Sequence, residues 1–220
     1  MGEWAAARGA QVNVIHAPTV AAWPDPRELS AVVALGSDRS VHASKDPWIA
    51  DQVAFLRAAH DAGVPVVGIC FGGQALAAAL GATVSRGPET EIGWVDVEGD
   101  DGFGGRWFTW HEDVFDLPPG AMELGRAASG LQAFAAGASV GLQFHPEVTP
   151  AIVDDWLEGE PGAVPDPEPM RAETAATAAA ARERAFALMD RIAARWPRGA
   201  RSAICPRSTP LGEAGRPLGR

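Results

Sequence analysis

Cys70 lies where its thiol could act as a nucleophile. It follows the apolar run VPVVGI (64–69), which predicts a strand buried on both faces, and precedes FGGQALAAALG (71–81), which predicts a helix. A side chain at a sharp strand-to-helix turn is lifted out of the sheet, and Gly68 and Gly72 leave room for such a turn. The N-terminus of the helix favours the thiolate. Because free cysteines are often small buried core residues, Cys70 alone leaves both interpretations open.

His145 is the best candidate for the base that a thiolate nucleophile needs. It lies in GLQFHPEV (141–148), where the apolar residues predict the end of a strand and Pro146 terminates it. Glu147 is near enough in sequence to orient the imidazole, as the third member of a catalytic triad does. A solvated histidine at a strand end remains the alternative.

The other four histidines are weaker candidates. His111, in WHEDVFDLPPG (110–120), is the nearest competitor, and a surface loop residue is an equally good interpretation of it. Three more have no acidic residue in a comparable turn, so they are interpreted as surface or structural residues: His16, His42 and His60.

The elbow and the histidine turn, in this order, resemble the class I glutamine amidotransferases. GICFGGQ (68–74) is similar to the family's G-x-C-x-G-x-Q, and GLQFHPE (141–147) contains its F-H-P-E. Three further segments look like the stand-alone branch that is similar to the amidotransferase domain of GMP synthase: EIGW (91–94), WHEDVFDLPPGA (110–121) and QAF (132–134).

This resemblance, which extends over residues 3–157, implies a mechanism. Cys70 would attack the side-chain amide of glutamine and form a γ-glutamyl thioester, with release of ammonia. His145 would take the thiol proton and later deliver it to the leaving ammonia, and Glu147 would orient His145. Neither a metal nor a cofactor is implied.

The resemblance also implies how the substrate is held. The oxyanion hole would use the backbone N–H of Phe71 together with an N–H at Gly36 or Ser37, and Gln74 would hold the amino-acid end of the substrate. Asp38 stands where the family often carries proline, which affects the geometry of this loop. Backbone donors, however, need no particular side chain.

Several functions could use this machinery. One is the supply of ammonia to a separate synthetase or synthase partner, because the chain contains no recognisable ATP-binding or synthase motif. Another is hydrolysis of γ-glutamyl peptides or glutathione conjugates, again with a small-molecule substrate. A non-catalytic binding subunit would not need an intact Cys70, His145 and Glu147. A thiol hydrolase or redox-responsive protein of a related fold would not need the F-H-P-E turn.

Strands alternate with helices in the first half of the chain, which predicts an α/β, flavodoxin-like fold. Its central sheet is expected to be mostly parallel, with helices on both faces. Helices are predicted at 3–9, 47–63, 71–81, 151–157 and 170–196. Strands are predicted at 12–17, 31–36 and 64–69, and as short segments between about 83 and 145, namely ATVS, IGWVDVE, GRWFTW, LQAFAAG and ASVGLQF.

Composition limits the classes of partner. The chain has 220 residues, enough for one domain over residues 1–196 followed by a disordered tail at 197–220. The formal net charge of −10 argues against nucleic acid, and no apolar run approaches the roughly 20 residues of a membrane span. With only two cysteines, Cys70 and Cys205, and no signal-peptide pattern, we expect a cytoplasmic protein.

The start of the chain lacks the strand with which such a sheet normally opens. MGEWAAARGAQ (1–11) predicts the first helix, and VNVIHA (12–17) predicts the strand that should come second. We therefore expect a gap or collapsed pairing beside strand 64–69. If Met1 is an internal methionine of a longer protein, this chain should be poorly soluble alone and rescued by upstream residues.

Overall fold

A seven-stranded mixed sheet forms the centre of the molecule. The computed structural model describes residues 2–43, 45–100 and 102–200. The strands are β1 (Val32–Ala34), β2 (Val66–Ile69), β3 (Val84–Gly99), β4 (Gly105–Phe115), β5 (Met122–Ala127), β6 (Gly130–Ala136) and β7 (Ser139–Leu142). The helices are α1 (Gly2–Ala7), α2 (Pro47–Asp61), α3 (Phe71–Ala79), α4 (Pro150–Gly159) and α5 (Glu168–Ala194). The spatial order of the strands is β1-β2-β7-β6-β5-β3-β4.

The α/β fold class predicted from the sequence is confirmed, but the sheet is less parallel than expected. β1, β2 and β7 are parallel to one another, whereas β7–β6, β6–β5, β5–β3 and β3–β4 pair antiparallel. A helical crossover joins β1 to β2, as parallel neighbours require. Turns join the consecutive pairs β3–β4, β5–β6 and β6–β7 instead, and turns produce antiparallel pairs. β5 had not been predicted.

β2 is covered on both faces, as its uninterrupted apolar sequence predicted. Val66 packs in a cluster with Phe55 of α2 and Leu76 of α3, whereas Val67 packs with Leu188 of α5 on the other face. Successive side chains of a strand point to opposite faces, so both faces of this short strand become core. This rigid strand ends one residue before Cys70.

The predicted strand at residues 12–17 is wrong. No strand is assigned there, residues 17–19 form a 3-10 turn, and Val12 and Val14 are 56% and 91% exposed. The β-branched residues of this segment favour a strand, but a strand forms only where a neighbouring strand pairs with it.

The expected gap beside β2 is also wrong. β2 pairs with β1 on one side and with β7 on the other. The first described element is a helix, α1, and the two edge strands of the sheet are β1 and β4. Of the predicted tail at 197–220, residues 201–220 lie outside the described residues, as does Cys205.

No helix within the described ranges is both long enough and apolar enough to cross a membrane.

Candidate active site

Cys70 adopts the strained backbone conformation of a nucleophile elbow. Its φ of 52° and ψ of −113° make it the one non-glycine residue with positive φ in the described part of the chain. Such a conformation costs an L-residue about 1–3 kcal/mol, so the surrounding packing must enforce it. The side chain is only 5% exposed, and the thiol is free.

Glycines on either side of Cys70 allow α3 to lie directly on the strand backbones. A Cβ on Gly68 would lie 2.3 Å from the Gly72 carbonyl oxygen, and one on Gly72 would lie 2.1 Å from that of Ala34. A Cβ on Gly73 would lie 2.4 Å from the Leu142 carbonyl oxygen. These distances leave no room for a side chain, so the glycines set how closely the helix N-terminus approaches the sheet.

His145 and Glu147 form a hydrogen-bonded pair. His145 Nδ1 lies 2.7 Å from Glu147 Oε1, and both side chains are largely buried. Burial by itself would lower the pKa of His145, but its interactions with Glu147 and Cys70 outweigh burial and raise that pKa to about 10. An imidazolium is therefore the stable form of this ring at neutral pH.

The remaining nitrogen of His145 is available for proton transfer. Nε2 is buried and has no hydrogen-bond partner within the described residues. A methyl group placed on Gly36 would lie 3.3 Å from His145 Cε1 and 3.9 Å from Cys70 Cβ, so these three residues meet at one point. The structure thus brings the Cys70 thiol together with an imidazole and a carboxylate that lie far from it in the sequence.

The residues predicted to supply the oxyanion hole lie next to Cys70. Phe71 is the first residue of α3, so its N–H has no acceptor within the helix. Gly36 follows β1 and approaches both Cys70 and His145. The hydroxyl of Ser37 instead bonds within its own loop, to Asp38 and to the N–H of Arg39.

Gln74 is buried on the first turn of α3, with 3% of its surface exposed. Its Nε2 donates to the Asp113 carbonyl oxygen at 3.0 Å. Because that carbonyl can only accept, the amide is oriented with Nε2 toward Asp113, which leaves Oε1 on the other side as the acceptor. An acceptor of this kind suits the α-ammonium group of an amino acid.

Sequence reasoning missed three groups around the site. Gln143 is fully buried and places Nε2 3.8 Å from Cys70 Sγ. The Trp110 carbonyl oxygen lies 3.7 Å from the same sulfur. The ring of Trp156, on α4, packs edge-on against His145 with centroids 4.8 Å apart. Only the position of Gln143, two residues before His145, gave any signal in the sequence.

The histidines outside this site have structural partners. His111 is not a surface loop residue: it lies on β4, 5% exposed, with Nε2 3.1 Å from Glu91 Oε2. The interpretation of the other three as surface or structural residues agrees with their contacts. His42 pairs with Asp113 at 3.1 Å, and His60 pairs with Ser139 at 3.0 Å. No group of three or more His, Cys, Asp or Glu side chains within the described ranges could hold a metal ion.

Comparison with known proteins assigns the chain to a family. The sequence profile described as "Glutamine amidotransferase class-I" matches residues 6–156. The chain belongs to the class I glutamine amidotransferases. Among its relatives in this family, GMP synthase [glutamine-hydrolyzing] of Aeropyrum pernix is 34% identical over 144 residues. That match covers 58% of this chain and 27% of the relative, so this chain spans about a quarter of the length of the curated relatives it matches.

Solved structures of glutamine amidotransferases share the fold. A glutamine amidotransferase from Methylobacillus flagellatus superposes with a TM-score of 0.82 at 25% identity, covering 90% of this chain and 89% of that one. A glutamine amidotransferase from Thermotoga maritima gives a TM-score of 0.70 at 31% identity, covering 75% and 78% of the two chains. The predicted family and the flavodoxin-like fold class are therefore confirmed.

Proposed function

We propose that this class I amidotransferase hydrolyses a γ-glutamyl amide bond through a thioester on Cys70. The observation that carries the proposal is the position of His145. Its Nδ1 is held by Glu147 at 2.7 Å, and its buried Nε2 is left without a partner among the described residues, beside Cys70. A nucleophile, a base and an orienting acid in this relation are what acyl transfer requires.

The reaction begins from a thiolate and an imidazolium. The Cys70 thiolate attacks the γ-carbonyl carbon, and the N–H groups of Phe71 and Gly36 stabilise the oxyanion that forms. The C–N bond then breaks as the His145 imidazolium gives its proton to the leaving nitrogen, which departs as ammonia or an amine. The products of this half-reaction are a γ-glutamyl thioester and a neutral imidazole.

Water completes the cycle. Neutral His145 takes a proton from a water molecule, whose oxygen attacks the thioester carbonyl. The C–S bond breaks, glutamate leaves, and the thiolate and imidazolium are restored. Glu147 keeps the ring oriented and stabilises its positive charge in both half-reactions. Throughout, Oε1 of Gln74 would accept from the α-ammonium group of the substrate.

Glutamine is the first substrate to test, and the released ammonia would pass to a separate synthetase or synthase. The name of the relative from Aeropyrum pernix, GMP synthase [glutamine-hydrolyzing], supports this choice, and the match covers 27% of that protein. The same chemistry on γ-glutamyl peptides or glutathione conjugates would release an amine or a peptide instead of ammonia.

The test is release of glutamate by the purified chain from glutamine, γ-glutamyl peptides and glutathione conjugates, with Cys70→Ala as control. We expect release from at least one of these substrates, and labelling of Cys70 by a glutamine-like electrophile. Release at the same rate by Cys70→Ala, or absence of both release and labelling in the wild type, would contradict the proposal. The latter result would favour a non-catalytic binding subunit.

A further inference from the structure

The sulfur of Cys70 touches two fixed groups of opposite character. The Trp110 carbonyl oxygen, 3.7 Å away, can only accept a hydrogen bond and therefore favours the protonated thiol. The side-chain amide of Gln143, with Nε2 3.8 Å away, can donate to the sulfur and favours the thiolate. The balance between these contacts affects how much of the nucleophile is ionised.

The orientation of the Gln143 amide follows from its partners. Gln74 must turn its NH₂ group toward the Asp113 carbonyl, 3.0 Å away, because a carbonyl oxygen cannot donate. The same NH₂ group lies 3.5 Å from Oε1 of Gln143. With Oε1 turned toward Gln74, the NH₂ group of Gln143 must face the sulfur. One backbone carbonyl thus sets the direction of the whole chain of hydrogen bonds.

This chain of hydrogen bonds is closed to solvent. Gln143 is 0% exposed and Gln74 is 3% exposed, so water does not compete for their amide groups. Gln143 directly follows β7, and its backbone N–H is held by the Gln132 carbonyl at 2.8 Å. A buried amide fixed at both its backbone and its oxygen has little freedom to turn away from Cys70.

We propose that Gln143 is a positioning residue for the Cys70 thiolate, to which its amide donates a hydrogen bond directed through Gln74 by the Asp113 carbonyl. This inference rests on the proposed function, in which Cys70 is the nucleophile. It extends that function because Gln143 stabilises the thiolate together with the helix N-terminus and His145.

The experiment measures how the rate of alkylation of Cys70 by iodoacetamide depends on pH. Mass spectrometry follows the Cys70 peptide separately from that of Cys205. Two variants remove the donor: Gln143→Met keeps the side-chain length without an amide, and Gln143→Asn keeps an amide that is one methylene too short. The matched control is Gln132→Met. Gln132 is 1% exposed on the neighbouring strand β6, and its amide donates to Ser129 Oγ at 2.9 Å instead of to the sulfur.

We expect both Gln143 variants to shift the midpoint of the alkylation profile upward by about one pH unit, equivalent to a tenfold smaller thiolate fraction below the midpoint. Gln132→Met should leave the midpoint unchanged. If the wild type hydrolyses a γ-glutamyl substrate and the folded Gln143 variants keep its midpoint, the role of Gln143 is overturned and the proposed function stands. If wild-type Cys70 reacts no faster than Cys205 at neutral pH, and no substrate is hydrolysed, both fail.

If the variants do not fold, a measurement on the wild-type chain tests whether the Gln143 amide contacts the Cys70 thiolate. The side-chain amide of ¹⁵N-labelled Gln143 should shift in NMR spectra with the same midpoint as Cys70 alkylation. That shift should be absent in Cys70→Ser, whose hydroxyl does not ionise in this range. An amide resonance that does not respond to pH across the Cys70 midpoint overturns the proposal.

Discussion

At Cys70, the chain combines a strained backbone with a polar environment that the local sequence only partly encodes. The elbow and the pairing of His145 with Glu147 were predictable because each lies within a few consecutive residues. The contacts of Gln143 and of the Trp110 carbonyl with the sulfur were not, because they join residues 73 and 40 positions apart in sequence. These contacts depend on the register of the strands, which the local sequence does not determine.

Substitution of the three proposed catalytic residues should give graded losses of hydrolysis. We expect Cys70→Ser and Cys70→Ala to abolish glutamate release, because a hydroxyl is a far weaker nucleophile at this site. His145→Ala should lower the rate of glutamate release nearly as much. Glu147→Gln should retain roughly a hundredfold more activity than Cys70→Ala, because Glu147 orients the ring and does not react. Steady-state glutamate release measures the series, with circular dichroism to confirm folding. Equal losses in all the variants would contradict these roles.

The raised pKa of His145 predicts a stability contribution that depends on pH. Its pKa is about 10 in the folded chain and about 6.5 when unfolded. The protonated ring therefore stabilises the fold fully below pH 6.5, and this contribution is lost as pH rises toward 10. Glu147→Gln removes a charge that raises this pKa, so it should cost about 2 kcal/mol at pH 6 and much less at pH 10. Urea unfolding at both pH values measures the difference in free energy of unfolding between the wild type and Glu147→Gln. A difference that grows with pH would refute the prediction.

At the scale of elements, the site depends on how α3 lies on β1 and β7. The sequence indicated a strand-to-helix turn with glycines around it, which is local information. It could not indicate which carbonyl groups those glycines meet, because the Ala34 and Leu142 carbonyls come from strands far away in the chain. For the same reason, the antiparallel half of the sheet and the burial of His111 were not predicted.

Gly72→Ala should destabilise the fold strongly. The new Cβ would lie 2.1 Å from the Ala34 carbonyl oxygen, so α3 or β1 must move, at a cost of about 3 kcal/mol or more. Gly159→Ala is the matched control, since it lies in α4 with nothing within 4 Å of the new Cβ, and should be neutral or slightly stabilising. Urea midpoints compare the two. A loss of similar size in both variants would show that close packing at Gly72 is not the cause.

At the scale of the whole molecule, apolar side chains remain exposed at the β1 end of the sheet. Val33 of β1 and Leu35, which follows this strand, are 41% and 51% exposed. The sequence correctly predicted a strand within 31–36, but it wrongly predicted another at 12–17. It could not show that β1 would be one of the two edge strands, because the order of the strands is a property of the assembled sheet.

The exposed edge strand β1 predicts a tendency of the chain to aggregate. Val33→Lys should raise the solubility of the chain, because a charge on an edge strand opposes intermolecular pairing. Met122→Lys is the control: Met122 is 52% exposed, but its strand, β5, is paired on both sides. Light scattering across a concentration series measures the effect. Equal gains from both changes would show that net charge, and not the β1 edge, controls solubility.

The register of the parallel pair β2–β7 sets the position of the proposed nucleophile, Cys70, relative to the proposed base, His145. Ile69 lies opposite Leu142, and the Cys70 N–H donates to the Leu142 carbonyl at 2.8 Å, so one ladder fixes both the elbow and the turn that carries His145. A slip of one residue would move His145 by about 3.3 Å relative to Cys70. Contacts so distant in sequence form late in folding. Hydrolysis during refolding should therefore return with this ladder, after the chain has already become compact.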